Sequence, residues 1–496
     1  MSEGPLQMSM TIDPEAVTAQ VNRRVFGSFV EHMGRSVYGG LYEPDHPHAD
    51  EDGNRADVLA LVRELGVSIV RYPGGNFVSG YRWEDGVGPV GRRPARFDRA
   101  WRSIEPNLFG LDEFARWSAK AGTDIMLAVN LGTRGARQAA ELVEYANITG
   151  GTRLSDLRRR HGREQPYGVR TWCLGNEMDG HWQIGYKSAE VYGRLAFETA
   201  NAMRAVDPTL ELVACGSSGR SMPGFGTWDE TVLDHCYEVV DLISAHGYYD
   251  PEASDLPSFI ASSAAMDEQI GQVVAIADRV GRKKGMAKRL GISFDEWNVW
   301  YMGRHESQRP SLEWRRAPRL CEDDYTSTDA VVVGSLLITL LRHGDRVALA
   351  CQAQLVNTIA PIHSEPNEPA RRQAIFHPFA LTSRHAVGDV IHPAALGPTV
   401  QTRAHGEVPV FDGMVTRDKA TGALTSFSVN RSTTDPIQLV VDLSSLPEVR
   451  VVEHLLLDPG KTTTGEPHPA PWEHAGREVA LLLPPVSWSM LRLATT

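Results

Sequence analysis

The chain has 496 residues, 42% hydrophobic and 23% charged, which suits a soluble protein with a large core and is too long for one small domain. Its formal net charge of -12, from 62 acidic against 50 basic residues, repels polyanions and speaks against a nucleic-acid binder. Five cysteines (Cys173, Cys215, Cys236, Cys321, Cys351), odd in number and without CxxC spacing, read as buried reduced thiols rather than as disulfides or metal ligands. Met1–Pro5 show no basic stretch leading into an apolar one, so no secretory leader is read and a cytoplasmic location is expected.

In chain order, a short β-prone apolar run, a loop and a segment of helical period alternate. The runs are Val25–Glu31, Ser68–Gly74, Asp124–Gly132, Val169–Glu177, Glu211–Ser217, Leu242–Tyr249, Gly291–Val299 and Val347–Val356. Arg55–Leu65, Leu111–Ala121 and Ala189–Val206 carry the i, i+3, i+4 pattern of amphipathic helices. The longest apolar run, Ala330–Leu341, is too short to span a bilayer and reads as a buried helix. Strand alternating with helix implies parallel strands joined by right-handed crossovers. Eight such units with no GxGxxG after the first predict an α/β fold, a closed (β/α)8 TIM barrel. Glu43–Gly53, with His46 and His48, reads as a solvated loop rather than a metal site.

Beyond about residue 385 the pattern changes to strands separated by turns. Pro409–Thr416, Ala423–Asn430, Ile437–Leu443, Val449–Leu457, Glu478–Leu483 and Ser487–Leu493 predict a C-terminal antiparallel β-sandwich, jelly-roll-like. Met8–Ile12 is expected to lend it a strand. The expected division is residues 1–20 for that strand, 21–385 for the barrel and 386–496 for the sandwich. The sandwich reads as a support packed on the barrel rather than a sugar-binding module.

In such a barrel the loops after the strands converge on one mouth, so strand ends are where chemistry is sought. Strand four ends Gly175-Asn176-Glu177 and strand seven Phe294-Asp295-Glu296. Glu31, Arg71 to Asn76, His246 to Tyr248 and Gln354 stand at other strand ends. One strand-end glutamate is a weak signal, and two on strands four and seven are a strong one. Cleaving a glycosidic bond takes one carboxylic acid to protonate the leaving oxygen and one carboxylate to attack or stabilise the anomeric carbon. Alternation points Asp295 away from Glu296 and gives it a structural role; Asp179 reads as a hydrogen-bonding loop residue.

Phe29-Val-Glu31-His-Met-Gly, Arg71-Tyr-Pro-Gly-Gly-Asn76-Phe, Gly175-Asn-Glu177-Met-Asp-Gly and Phe294-Asp-Glu296-Trp-Asn together resemble the α-L-arabinofuranosidases of glycoside hydrolase family 51. The resemblance runs from about residue 20 to the end of the chain. It implies a retaining exo-acting enzyme that releases terminal arabinofuranose from arabino- and arabinoxylo-oligosaccharides, with Glu177 as general acid/base and Glu296 as nucleophile. It further implies that Asn176, Glu31 and Asn76 hold sugar hydroxyls and that Tyr248 donates to Glu296. His246 and Gln354 would be pocket neighbours, and Trp101 and Trp300 its apolar walls. Arg71 would either bond a carboxylate beneath the sugar or form a structural pair. Strand six departs from the family pattern at Gly247, where the family usually has a larger residue between His and Tyr; of the adjacent Tyr248 and Tyr249, alternation favours Tyr248 as the donor. A homo-oligomer, often a hexamer, is implied; no cofactor, no metal, no membrane and no nucleic acid are.

Three other readings compete. Another retaining glycosidase of the same clan, an endoglucanase or β-xylosidase, would share both glutamates. A non-catalytic carbohydrate-binding barrel would not need them. A metal-dependent barrel hydrolase would need His-x-His where strand one has Glu31-His32.

Overall fold

The computed structural model describes residues 4–308 and 313–495. Eight strands, Gly27–Phe29, Ile69–Tyr72, Asp124–Ala128, Thr171–Leu174, Glu211–Ala214, Leu242–Tyr249, Gly291–Val299 and Val347–Ala353, pair in parallel and in chain order to close a barrel. Each lies within one of the apolar runs, and several are shorter than the run. Strand one begins only at Gly27 because Arg23–Phe26 forms a 3-10 turn, where the Asn22 side chain accepts from the Arg24 N–H. Strands one, two, four and eight leave the ladder before their polar ends, which frees Glu31, Asn76, Glu177 and Gln354 to line the mouth.

The helices follow from the apolar spacing. Ala56–Leu65 buries Val58, Leu59, Leu61, Val62 and Leu65 on one stripe. It stops at Gly66, whose φ of 78° lets its N–H return to the Arg63 and Val62 carbonyls. Before that helix, Arg55 is fully buried; it bonds Asp57 at 2.9 and 2.8 Å, Glu43 at 2.7 Å and the carbonyls of Glu365 and Glu368. It thus ties the loop after strand one to the loop after strand eight. Burial works against the Asp57 charge, but Arg55 and the Ala370 N–H outweigh it and hold the carboxyl down at about 2. That stabilisation is full above the ordinary 3.8 and is lost as pH falls through about 2. Asp57→Asn is therefore expected to cost about 2 kcal/mol at pH 7. Thermal melts should show the gap to wild type constant above pH 4 and narrowing below it; a gap independent of pH would reject this account.

Most of the remaining strands form two stacked sheets, and three short pairs stand apart from them. The seven-stranded sheet runs Val17–Gln20, Asp389–Ile391, Phe411–Arg417, Leu424–Asn430, Ser487–Thr495, Val449–Leu457, His468–Pro469. The five-stranded sheet runs Ala394–Leu396, Leu6–Thr11, Ile437–Asp442, Glu478–Leu483, Glu473–Ala475. One N-terminal strand was expected; there are two, one in each sheet. Leu6–Thr11 pairs parallel with Ile437–Asp442, an exception to the otherwise antiparallel pattern. Met10, Ile391, Val415, Leu439 and Leu481 fill the space between the sheets.

The apolar run at 330–341 lies in helix Ser327–Arg342, which is buried from Ala330 to Leu341. Among the described residues no helix is long and apolar enough to cross a membrane. This helix separates the barrel from the seven-stranded sheet, and Met414, Phe427, Trp488 and Met490 of that sheet join the barrel's core. Gly334 allows the approach, since a Cβ there would overlap the Trp488 indole. All five cysteines are free and buried. His46 departs from expectation: it is buried, and its Nδ1 accepts from the His48 N–H at 3.1 Å.

Candidate active site

At the end of strand four the backbone turns sharply, with φ of 94° at Gly175 and 44° at Glu177. Left-handed backbone is costly for a residue with a Cβ, and here it aims two consecutive side chains, Asn176 and Glu177, into the mouth. Arg71, from strand two, meets them. One of its terminal nitrogens donates to Glu296 Oε1 at 2.7 Å and the other to Asn176 Oδ1 at 2.7 Å. Of the two roles open to Arg71, it therefore takes the carboxylate beneath the pocket. With its oxygen held by Arg71, Asn176 leaves its buried amide nitrogen without a partner, as a donor facing the pocket.

His246 joins the two glutamates. Its Nδ1 lies 2.9 Å from Glu177 Oε1 and 3.6 Å from Glu296 Oε2, and one oxygen of each carboxylate falls within 4.8 Å of the other. Its Nε2 faces Asp295 Oδ1 at 3.2 Å, off the line of a good hydrogen bond, so this is an ion-pair contact. Burial opposes charge on the imidazole, but Glu296, Asp295 and Glu177 outweigh it and raise its pKa well above the ordinary histidine range. The second oxygen of Glu177 accepts from Trp182 Nε1 at 2.7 Å, and the second of Glu296 from the Tyr248 hydroxyl at 2.9 Å. Burial and the Glu296 and Glu177 charges push that hydroxyl's pKa well up, so it remains a donor. Tyr249 does not compete: its hydroxyl is buried and unbonded.

Asp295 does not point away from Glu296. Both contact Arg71 and His246, Asp295 Oδ2 lying 3.6 Å from Arg71 Nε. Strand seven loses regular register between Phe294 and Trp297, and that irregularity brings both side chains to the barrel interior. Burial works against the Asp295 charge, yet Arg71 and His246 lower its pKa. Asp179 keeps its loop role, accepting from the Ser218 N–H at 3.0 Å, with burial pushing its carboxyl up to about 6.

The other side of the mouth is built on Glu31. Its Oε1 accepts from the Phe77 N–H at 2.8 Å and from Trp101 Nε1 at 2.6 Å; Gln354 approaches Oε2 at 3.4 Å. Burial, stronger than those bonds, raises the Glu31 pKa well above the carboxylate range. Gly75, at φ of 63°, lies against it, and a Cβ there would overlap the carboxylate. Asn76 accepts from Gln183 at 2.7 Å. Trp101 and Trp300 stand on either side of His305, at 5.8 and 5.9 Å between ring centres, and Trp300 meets Tyr248 edge-on at 5.0 Å. Every residue expected in the pocket thus lies at this mouth. Glu177, His246 and Glu296 converge closely enough to suggest a cation, but the Arg71 guanidinium already occupies the charge position beside Glu296. Glu322, His363 and Glu365 also converge, and there Arg35 and Arg319 pair with both glutamates.

Known proteins share this arrangement of domains and chain. A model of the α-L-arabinofuranosidase C-terminal domain matches residues 295–474, and one of the α-L-arabinofuranosidase 1 domain matches residues 61–262. The chain is 53% identical to an intracellular exo-α-(1→5)-L-arabinofuranosidase of Streptomyces lividans, over 98% of this chain and 75% of that one. The structure of a family 51 α-L-arabinofuranosidase of Bifidobacterium longum matches with a TM-score of 0.93 at 47% identity, over 98% of this chain and 99% of that one. The chain belongs to the α-L-arabinofuranosidases of glycoside hydrolase family 51. Another relative, 47% identical over 99% of this chain and 98% of its own, is an exo-α-(1→6)-L-arabinofuranosidase of Bifidobacterium longum. Members of family 51 this similar to the chain thus carry different linkages in their names.

Several groups in this family 51 site escaped the sequence reading. Trp182 and Gln183 follow Glu177 in a loop with no periodicity, and only the indole donor five residues past a strand-end carboxylate hinted at a bond. Cys173, on strand four and four residues before Glu177, lies 3.4 Å from Arg71 Nε and 3.7 Å from Asp295, and nothing in its apolar run marks it. Tyr248→Phe tests the contact to Glu296. Losing one hydrogen bond to a charged group, worth about 1.5–3 kcal/mol, is expected to lower kcat about 10- to 100-fold with the fold unchanged. A kcat within twofold of wild type would remove Tyr248 from the machinery.

Proposed function

We propose that the protein is a retaining, exo-acting α-L-arabinofuranosidase with Glu296 as nucleophile and Glu177 as general acid/base. The observation that carries this is the pair of carboxylate oxygens within 4.8 Å of each other at the barrel mouth. A retaining pair stands about 5–5.5 Å apart, whereas an inverting pair leaves about 6.5–9.5 Å for an intervening water.

In the first step Glu296 Oε2 or Oε1 attacks the anomeric carbon, and the bond to the leaving oxygen breaks as Glu177 gives that oxygen a proton. In the second, Glu177 takes a proton from water, whose oxygen attacks the same carbon and releases Glu296. Two inversions restore the original configuration. Arg71 and Tyr248 hold the two Glu296 oxygens and keep the group in line. The free Asn176 amide is suited to the sugar 2-hydroxyl, a contact that strengthens as the ring gains oxocarbenium character. Glu31 and Asn76, backed by Trp101, Gln354 and Gln183, would bind the remaining furanose hydroxyls, and Trp300 would close the apolar side. The cycle uses side chains alone.

The names of the relatives, which call them exo-acting, support exo action. They also support an α-1,5 linkage, as in the more similar Streptomyces lividans enzyme, and action inside the cell; arabino- and arabinoxylo-oligosaccharides as substrates belong to the same reading. A homo-oligomer, with a hexamer as the form to test, belongs to the same reading. Proton NMR of the first-formed arabinose from 4-nitrophenyl α-L-arabinofuranoside should show the α anomer. A β product overturns the mechanism, and no release overturns the activity.

A further inference from the structure

Between the loops that follow strands two and four lies a second depression, about 230 Å³ in volume, lined by Phe77, Arg82, Arg96, Phe97, Arg99 and Ile184 among others. It backs directly onto the arabinose pocket. The Phe77 N–H donates to Glu31; Asp98, also in the lining, accepts from the Trp101 N–H at 3.2 Å; and Ile184 follows Gln183, which holds Asn76. We propose that this groove is a subsite for the second and later pentose units of the leaving oligosaccharide. The inference rests on the arabinofuranosidase reading above.

Two features select a sugar chain as the occupant. Phe97 is 69% exposed at the rim, with Trp314 (39% exposed) packed against it at 4.6 Å between ring centres, which fixes the ring in place while leaving a face open. Sugar rings present flat C–H faces to such isolated aromatics and hydroxyls around their edge. Between the aromatics the lining is polar. Asp85 pairs with Arg96, whereas the guanidinium groups of Arg82 and Arg99 have no hydrogen-bond or ion-pair partner among the described residues. They are donors with nothing of this chain to donate to. A second copy of the chain is a poorer match. A stable interface wants an apolar centre on a patch of about 800 Å² per partner, and here charged groups separate the aromatics.

The hairpin that carries Phe97, strands Arg96–Asp98 and Ser103–Glu105, also carries Trp101 in its turn. One element would therefore hold the arabinose wall and the first platform for what lies beyond it.

The test compares kcat/KM on 4-nitrophenyl α-L-arabinofuranoside, whose leaving group has no sugar, with that on α-1,5-linked arabinotriose. Phe97→Ala is expected to cost about tenfold on arabinotriose and less than about twofold on the aryl glycoside, the scale of one lost aromatic contact. Equal effects on both substrates, or none on either, overturn the groove. So does a change in oligomer mass by light scattering in this variant, which would assign the face to a second copy. Wild-type protein inert on the aryl glycoside would instead defeat the arabinofuranosidase reading itself.

Discussion

Glu296→Ala is expected to lower kcat on 4-nitrophenyl α-L-arabinofuranoside by roughly four orders of magnitude or more, the scale on which loss of a covalent nucleophile acts. The loss falls on chemistry rather than folding. Without the carboxylate, Arg71 still bonds Asn176 at 2.7 Å and lies 3.6 Å from Asp295, so the buried guanidinium keeps both a hydrogen bond and a counter-charge. Tyr248 loses its acceptor at a position that is only part-buried. Native circular dichroism and preserved arabinose affinity by calorimetry are the controls. Azide added to this variant has room beside the anomeric carbon and is expected to give arabinosyl azide of inverted configuration. A folded Glu296→Ala protein turning over within tenfold of wild type would remove Glu296 as nucleophile, whatever its neighbours.

Glu177→Ala is expected to separate substrates by their leaving groups. An arabinose or xylose hydroxyl is a poor leaving group and needs the proton, so kcat/KM on oligosaccharides should fall about 10²- to 10⁴-fold. A 2,4-dinitrophenolate leaves unaided, so the first step on that substrate should be nearly spared and the second, lacking its base, should become limiting. Azide would then replace water as a nucleophile that needs no deprotonation, raise kcat and give product of retained configuration. Opposite configurations of the azide from the two variants would distinguish the two carboxylates without reference to the wild type. The same loss on both substrates, with no azide effect, would indicate that Glu177 serves only to hold His246 and Trp182.

The barrel was legible in the sequence because its parallel strands are buried on both faces and read as apolar runs such as Ile69–Tyr72 and Thr171–Leu174. The polar groups were legible for the complementary reason: Glu177 ends, and Glu296 interrupts, a run that packing alone would have kept apolar. Val17–Gln20 was not, since its side chains are largely exposed and its pairing with Asp389–Ile391 is set by a distant partner. Nor were Ala394–Leu396 and Thr399–Thr402, exposed strands with no alternation to mark them. Asp295 shows the limit of a period-two argument. Alternation holds only while the ladder is regular, and an irregularity beside Glu296 leaves no trace in residue types. The bonds of Trp182 and Gln183 lie in an aperiodic loop, where contact depends on the path of the chain through space.

His246 also bears on how activity should vary with pH. Because one imidazole touches Glu177, Glu296 and Asp295, proton loss from any of them changes the others, and the limbs of a pH–rate profile belong to the cluster.

The placement of Leu6–Thr11 and Val17–Gln20 has a consequence for biosynthesis. Both strands leave the ribosome before the barrel, yet their partners at Ile437–Asp442 and Asp389–Ile391 are made only after the whole barrel. At roughly 5–20 residues per second the interval is on the order of tens of seconds. The nascent chain must therefore carry two unpaired strand edges, with Met8, Met10 and Ile12 uncovered, while the barrel forms behind them. Ribosome stalling between the barrel and these partner strands would leave the barrel mouth already formed on a chain whose two early strands are still waiting for a sheet.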